Sequence, residues 1–277
     1  MIGVFDSGLG GLTILKALIK KLPQYDYMYF GDNANAPYGN KSHEEIYQHT
    51  EKALDFLFSH KCEIVILACN TASAEALRKI QVEYLPKKYP DQKVLGVLIP
   101  SVEEAVEAFN NKKPSLDNKR VGIIATCATV NSKKYQKEIY KLDKQAKVFS
   151  IATPLLAPIV EAGKENETKT TEILKDYLEK LKKKNINYLI LGCTHYSFLQ
   201  KQIQKILGKD IKIINTEKAV AEKLKSYLDK HKEIKNSLKA DSKRVFYTTG
   251  DVKTFRKLGE KFLDQKIEKL KRIVDIK

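Results

Sequence analysis

Two stretches of this 277-residue chain deliver a cysteine to a place where chemistry is possible. In the first, Ile64-Val65-Ile66-Leu67-Ala68 runs into Cys69-Asn70-Thr71. In the second, Leu189-Ile190-Leu191-Gly192 runs into Cys193-Thr194-His195. The plan is shared: an apolar run, a small residue, a cysteine, then side chains able to bond a ligand. A thiol so placed has several uses, and each demands its own spacing. A disulfide oxidoreductase wants its cysteines adjacent, usually as Cys-x-x-Cys, whereas these lie 124 positions apart (193 minus 69). A cysteine hydrolase needs one nucleophile, a histidine base and an orienting group. A zinc site would draw on Cys69, Cys193 and His195, but Cys-x-His is not a usual ligand spacing. A fourth use sets two thiols on opposite faces of one carbon. One thiolate removes a proton, the opposite thiol returns one, and the stereocentre inverts with neither nucleophilic attack nor a metal.

The elements that must position these groups follow from the apolar runs. A short run of β-formers bounded by small and polar residues reads as a buried parallel strand. Each cysteine then sits where a strand gives way to a helix, at the edge where open α/β sheets bind ligands. A helix N-terminus there is expected to lower the thiol pKa from its ordinary value of about 8.5. Cys62 precedes a strand and Cys127 follows one, and both read as packing groups. With no Cys-x-x-Cys spacing, all four cysteines are expected as free thiols in a reducing compartment.

Strand and helix alternate along the rest of the chain. Ile2 to Phe5 reads as a strand, Asp6-Ser7-Gly8-Leu9-Gly10-Gly11 as a turn, and apolar residues at 12, 14, 15, 18 and 19 as a helix. The glycines let the backbone approach a ligand, but the turn lacks the last glycine of the dinucleotide fingerprint. Tyr27 to Phe30 is a second strand. It leads to a long loop, residues 31–40, holding Pro37-Tyr38-Gly39, and then to a capping box at Ser42 and Glu45 that opens a helix to about Ser59. A helix is expected from Ala72 to Tyr84, a strand from Val94 to Leu98, and a helix capped by Ser101. Residues 112–118 read as an exposed loop. A strand at Val121 to Ala125 precedes a helix through Tyr140. Thr153-Pro154 opens a short helix carrying Glu161, and a Lys-rich helix covers about 168–183. Residues 211–214 read as a strand, 217–229 as a helix, 231–243 as a charged loop, and Val245 to Thr248 as the last strand. This alternation implies α/β architecture with parallel sheets and right-handed crossovers. The two cysteine-bearing units suggest two similar lobes, each a mostly parallel sheet flanked by helices, with the active site in the cleft between them. The expected division is residues 1–96 plus 209–277 around Cys69, and 97–208 around Cys193.

Composition narrows the function further. No segment approaches the roughly 18 apolar residues of a membrane helix. Met1-Ile2-Gly3-Val4-Phe5-Asp6 lacks a basic region followed by an apolar core, so a cytoplasmic protein is expected. Net charge is +16, yet only five of the 50 basic residues are Arg, and the Lys residues are scattered along helical patterns. That reads as a solvated surface able to steer an anionic substrate, with no nucleic-acid signature.

The residues also match a known pattern. Val4 to Gly11, Pro37-Tyr38-Gly39, Ala68 to Ser73, Gly96-Val97 with Pro100, Leu191 to Tyr196 and Thr249-Gly250-Asp251 occur in family order over essentially the whole chain. The chain thereby resembles glutamate racemase, of the cofactor-independent aspartate/glutamate racemase superfamily. The resemblance implies that Cys69 and Cys193 are the catalytic bases, the first for the D-enantiomer and the second for the L-enantiomer. Asp6 would assist Cys69, and Glu161 with His195 would assist Cys193. Substrate would be held by Asp6, Ser7, Tyr38, Gly39, Asn70, Thr71, Thr194 and His195. The resemblance further implies glutamate as substrate, no cofactor and no metal, no nucleic-acid or membrane partner, a homodimer, and D-glutamate supplied for peptidoglycan. Ser197 stands where the family usually has proline, and Cys127-Ala128 replaces its more usual pair before Thr129.

None of the four binding blocks contains Lys or Arg. An anionic substrate would then be held by backbone N–H groups with Ser7, Asn70, Thr71 and Thr194. That suits a reaction needing one thiolate and one thiol in each direction, because a fixed cation at both sulfurs would hold both ionised. Three alternatives stay open on the sequence: a racemase of aspartate or another amino acid, a non-catalytic amino-acid-binding protein, and a redox or nucleic-acid protein.

Overall fold

The computed structural model describes residues 1–111 and 119–274, so the loop expected at 112–118 lies outside the described residues. Two parallel sheets organise the chain. The first contains β1 (Ile2–Asp6), β2 (Tyr27–Gly31), β3 (Ile64–Leu67), β4 (Lys93–Gly96), β9 (Arg244–Thr248) and β10 (Leu270–Arg272), in the order β10-β9-β2-β1-β3-β4. The second contains β5 (Arg120–Ala125), β6 (Lys147–Ala152), β7 (Tyr188–Gly192) and β8 (Lys212–Ile213), in the order β6-β5-β7-β8. The central strands β1, β3 and β7 are buried along their whole length, as continuous apolar runs require when helices cover both faces. This is the two-lobed α/β architecture expected from the sequence.

Register decides where the chemistry emerges. Phe5 pairs with Leu67, so Asp6 and Ala68-Cys69 leave the first sheet side by side. Ala125 pairs with both Gly192 and Ala152, so Thr126, Cys193 and Thr153 leave the second sheet at one edge. One core cluster spans the molecule, joining Ile2, Leu15 and Ile66 of the first unit to Ile124, Leu189 and Leu199 of the second.

Several elements depart from the sequence reading. The helix expected from Ala72 begins at Asn70, directly after Cys69, and passes through a π-helical turn at Ile80–Tyr84. Ser101 lies inside the helix Leu98–Asn110, where its hydroxyl bonds Val97 O at 2.9 Å and Thr216 Oγ1 at 3.1 Å, so it is not a cap. The helix expected through Tyr140 divides into Cys127–Asn131 and Lys134–Leu142, with Lys133 left-handed at φ 55°. The charged stretch after residue 231 contains a helix, Lys232–Ser237. A further strand, β10, follows the one expected to be last and pairs parallel with β9. Most consequential, β8 pairs with β7 (Tyr188 with Lys212, Leu189 with Ile213). Residues 212–213 therefore belong to the second sheet.

Candidate active site

Cys69 ends the turn after β3 and is the N-cap of the helix Asn70–Glu75, with the Ala72 N–H donating to its sulfur at 3.5 Å. Ser7 Oγ lies 3.4 Å from the same sulfur. The side chain is only 5% exposed. Burial pushes the thiol up to about 12, nearby Asp6 and Cys193 add to the shift, and the Ser7 and Ala72 hydrogen bonds oppose it. The helix terminus was expected to lower this thiol, but one N–H at 3.5 Å does not offset desolvation in a closed site. Cys62 is likewise raised to about 12 by burial, as expected of a packing group whose sulfur lies against Gly3.

Asp6 is 1% exposed. One carboxylate oxygen accepts from the Gly8 N–H at 2.9 Å; the other, Oδ1, is buried without a well-formed hydrogen bond, although the Gly11 N–H also favours the charged form. Burial raises its pKa, and the charge on His195 partly counters that.

Cys193 is built differently. It follows β7 in an extended conformation (φ −152°, ψ 136°) and leads into a 3₁₀ turn, Thr194–Leu199, rather than the α-helix expected, so its sulfur caps nothing. Its partner is an imidazole: Cys193 Sγ lies 3.6 Å from His195 Nδ1, and His195 Nε2 lies 2.9 Å from Glu161 Oε1. Burial opposes charging of the imidazole, but bonds to Cys193 and Glu161 outweigh it and hold the ring well above its ordinary pKa. Cys193, His195 and Glu161 thus form a chain in which a cation sits between a sulfur and a carboxylate.

The two halves face one another. A Cβ on Gly10 would lie 2.1 Å from Thr194 Oγ1 and 2.8 Å from His195 Nδ1, so only glycine lets the β1 turn approach the second lobe this closely. A Cβ on Gly8 would meet Glu161 Oε1 at 3.2 Å. Thr71 Oγ1 lies 3.0 Å from Thr126 Oγ1 and 3.3 Å from Thr129 Oγ1. Tyr38 and Gly39 close one side, with a Gly39 Cβ 2.6 Å from Thr126 Cβ. Tyr38 is anchored through its hydroxyl to buried Asp32 at 2.7 Å, and Asp32 also accepts from Thr249 at 2.8 Å and Asn35 at 2.9 Å.

Asp6, Ser7, Tyr38, Gly39, Cys69, Asn70, Thr71, Glu161, Cys193, Thr194 and His195 lie along these facing strand ends and turns, whereas Cys62 packs against Gly3. The sequence reading missed Thr126, Thr129, Asp32 and Thr249 as members of this assembly. Thr126 and Thr129 follow a strand as Cys69 and Cys193 do, and that shared position was the signal available. Among the described residues, no group of three or more Cys, His, Asp or Glu side chains could hold a metal ion, and no helix is long and apolar enough to cross a membrane.

Comparison with known proteins places this arrangement. The model of the Asp/Glu/hydantoin racemase family matches residues 9–224. The chain belongs to that family. It is 38% identical over 267 residues to a glutamate racemase of Thermoanaerobacter pseudethanolicus, covering 96% of this chain and 94% of that protein. Among solved structures, a glutamate racemase isoform from Bacillus anthracis superposes with a TM-score of 0.88 at 34% identity, over 99% of this chain and 97% of that one. A glutamate racemase from Francisella tularensis in complex with D-glutamate gives 0.84 at 36% identity, over 98% and 96%.

Proposed function

We propose that the chain is a cofactor-independent glutamate racemase that interconverts L- and D-glutamate by proton transfer at Cα between Cys69 and Cys193. One observation carries this reading. The β1 turn that carries Asp6 and Ser7 beside Cys69 packs through Gly10 directly against Thr194 and His195 beside Cys193, and each buried sulfur has its own acid–base neighbour. In one direction the Cys193 thiolate, beside the His195 imidazolium that Glu161 helps keep protonated, takes the α-proton, and the neutral Cys69 thiol donates to the opposite face. In the reverse direction Cys69 must first lose its proton. Asp6, with a raised pKa and a buried oxygen that lacks a well-formed hydrogen bond, is the local acceptor. The anionic substrate is held by donors without full charge: Ser7, the Asn70 amide, Thr71, Thr194 and backbone N–H groups, with Tyr38-Gly39 packed against one side. These groups stabilise a carboxylate without fixing both sulfurs as thiolates. Cys69 is 5% and Cys193 9% exposed, so substrate entry requires the lobes to part and close again.

Two lobes exchanging at residue 97 and after Ile213, a homodimer, a cytoplasmic location and a supply of D-glutamate for peptidoglycan belong to the same reading. The last three rest on the family resemblance. The deciding experiment incubates purified, chelator-treated protein with L-glutamate and, separately, L-aspartate in heavy water. α-Deuterium in both enantiomers of glutamate is the expected result. Exchange only into aspartate moves the substrate, and no exchange into either rejects the racemase.

A further inference from the structure

Tyr135 sits on the helix Lys134–Leu142, outside every stretch that the sequence reading assigned to the site. Its hydroxyl donates to Asn70 Oδ1 at 2.7 Å in a buried contact that spans 65 residues. Its ring lies over the strand end that delivers the other cysteine, because a Cβ on Gly192 would come within 3.3 Å of Tyr135 Cε2. One side chain therefore touches the residue after Cys69 and the residue before Cys193.

The chemistry at Asn70 gives that contact a consequence. An amide carries an acceptor on one arm and two donors on the other. With Oδ1 engaged by the phenol, the free arm is Nδ2, which is buried without a partner. A substrate carboxylate needs donors. A reversed amide would offer it an oxygen and repel it. The phenol stays protonated, because burial and charge on Cys193 raise its pKa against an opposing bond from Ser101. It therefore keeps the proton that it donates to Asn70 Oδ1 at every working pH.

We propose that Tyr135 is a positioning residue, which locks the Asn70 amide with its N–H groups free for a substrate carboxylate and braces the two cysteine-bearing turns against each other. The proposal rests on the racemase reading. Its test is a double-mutant cycle on racemisation in both directions: wild type, Tyr135→Phe, Asn70→Ala and the double variant, with melting temperatures alongside. Tyr135→Phe keeps the ring on Gly192 and removes only the hydroxyl. KM for both enantiomers is expected to rise about fivefold, the effect of one buried hydrogen bond, with kcat within about twofold. The double variant is expected to match Asn70→Ala within about twofold, since the phenol acts through the amide. An unchanged KM in Tyr135→Phe, or two effects that multiply, overturns the assignment while the racemase stands. A fall in kcat and melting temperature at constant KM also overturns it, because that marks a purely structural tyrosine. A wild type that exchanges no α-proton sinks the racemase reading and this assignment with it.

Discussion

The two cysteine turns begin from nearly the same sequence and end as different chemical devices. At residue 69 the sulfur caps an α-helix, is buried beside a carboxylate oxygen without a well-formed hydrogen bond, and is held neutral. At residue 193 the chain stays extended into a 3₁₀ turn, and the sulfur meets an imidazole backed by a glutamate. A thiol waits on one side of the cleft and a sulfur paired with a cation on the other. A two-base proton transfer requires that asymmetry at every instant, and here the local backbone supplies it before any substrate arrives. Helix capping spends the sulfur's lone pairs on a backbone N–H, whereas the extended turn leaves them to His195.

The comparison breaks most directly at the sulfurs. Cys69→Ser and Cys193→Ser each replace an ionisable acid–base group by one that does not ionise at working pH. Either change should reduce racemisation by about 10²- to 10⁴-fold. Retention of more than about a tenth of the activity by either variant would remove that cysteine from the proton path.

The neighbours sharpen the asymmetry at a smaller scale. Asp6→Asn and His195→Asn should each cost about 10²-fold, at the low end of acid–base effects. Enantiomers have equal free energies, so kcat/KM must fall equally in both directions. The difference must appear instead in the primary isotope effect with α-deuterated substrate. It should grow for D-glutamate in the Asp6 variant and for L-glutamate in the His195 variant. Equal isotope effects in both variants would make the two neighbours one shared network.

Much of this was legible in the chain. Apolar runs that stop at a small residue and a cysteine located both strand ends, because a strand buried on both faces leaves no other place for its polar neighbours. What stayed hidden was three-dimensional. The pairing of Thr71 with Thr126 and Thr129, and of Tyr135 with Asn70, joins residues more than 50 positions apart. The shift at Cys69 was read with the wrong sign, because a helix terminus is visible in sequence and the depth of burial is not. The two-residue strand β8 is too short for its pattern to say which sheet it joins.

A third test addresses the cation beside Cys193. The His195 pKa is raised in the folded protein, so the stabilisation from its imidazolium is complete below the ordinary value near 6.5 and is lost as pH rises through the raised value. Glu161→Gln removes one of the two groups that hold the proton. The alkaline decline in melting temperature still begins near pH 6.5, but it should then be smaller and end at lower pH than in wild type. Melting curves from pH 6 to 10 read this directly, and superimposable pH profiles would show that Cys193 alone maintains the charge.

The smallest expected effect separates stability from function at Asp6. Its folded pKa is raised, so folding binds the proton more tightly than the unfolded chain does. Native stability is favoured below the unfolded value near 3.8 and declines as pH rises through the raised value. At neutral pH the site therefore holds a 1%-exposed carboxyl with one oxygen lacking a well-formed hydrogen bond, a state that costs stability. Asp6→Asn can keep the acceptor for Gly8 N–H and removes the charge. It should raise the melting temperature by about 2–4 °C, corresponding to about 1 kcal/mol in a chain of this size, while catalysis falls. The Cys193 side offers no such gain, because His195→Asn leaves Glu161 without its cation and should lower the melting temperature. A lower melting temperature in Asp6→Asn would mean that the carboxylate is compensated in the folded site, and that the two turns differ in their partners but not in strain.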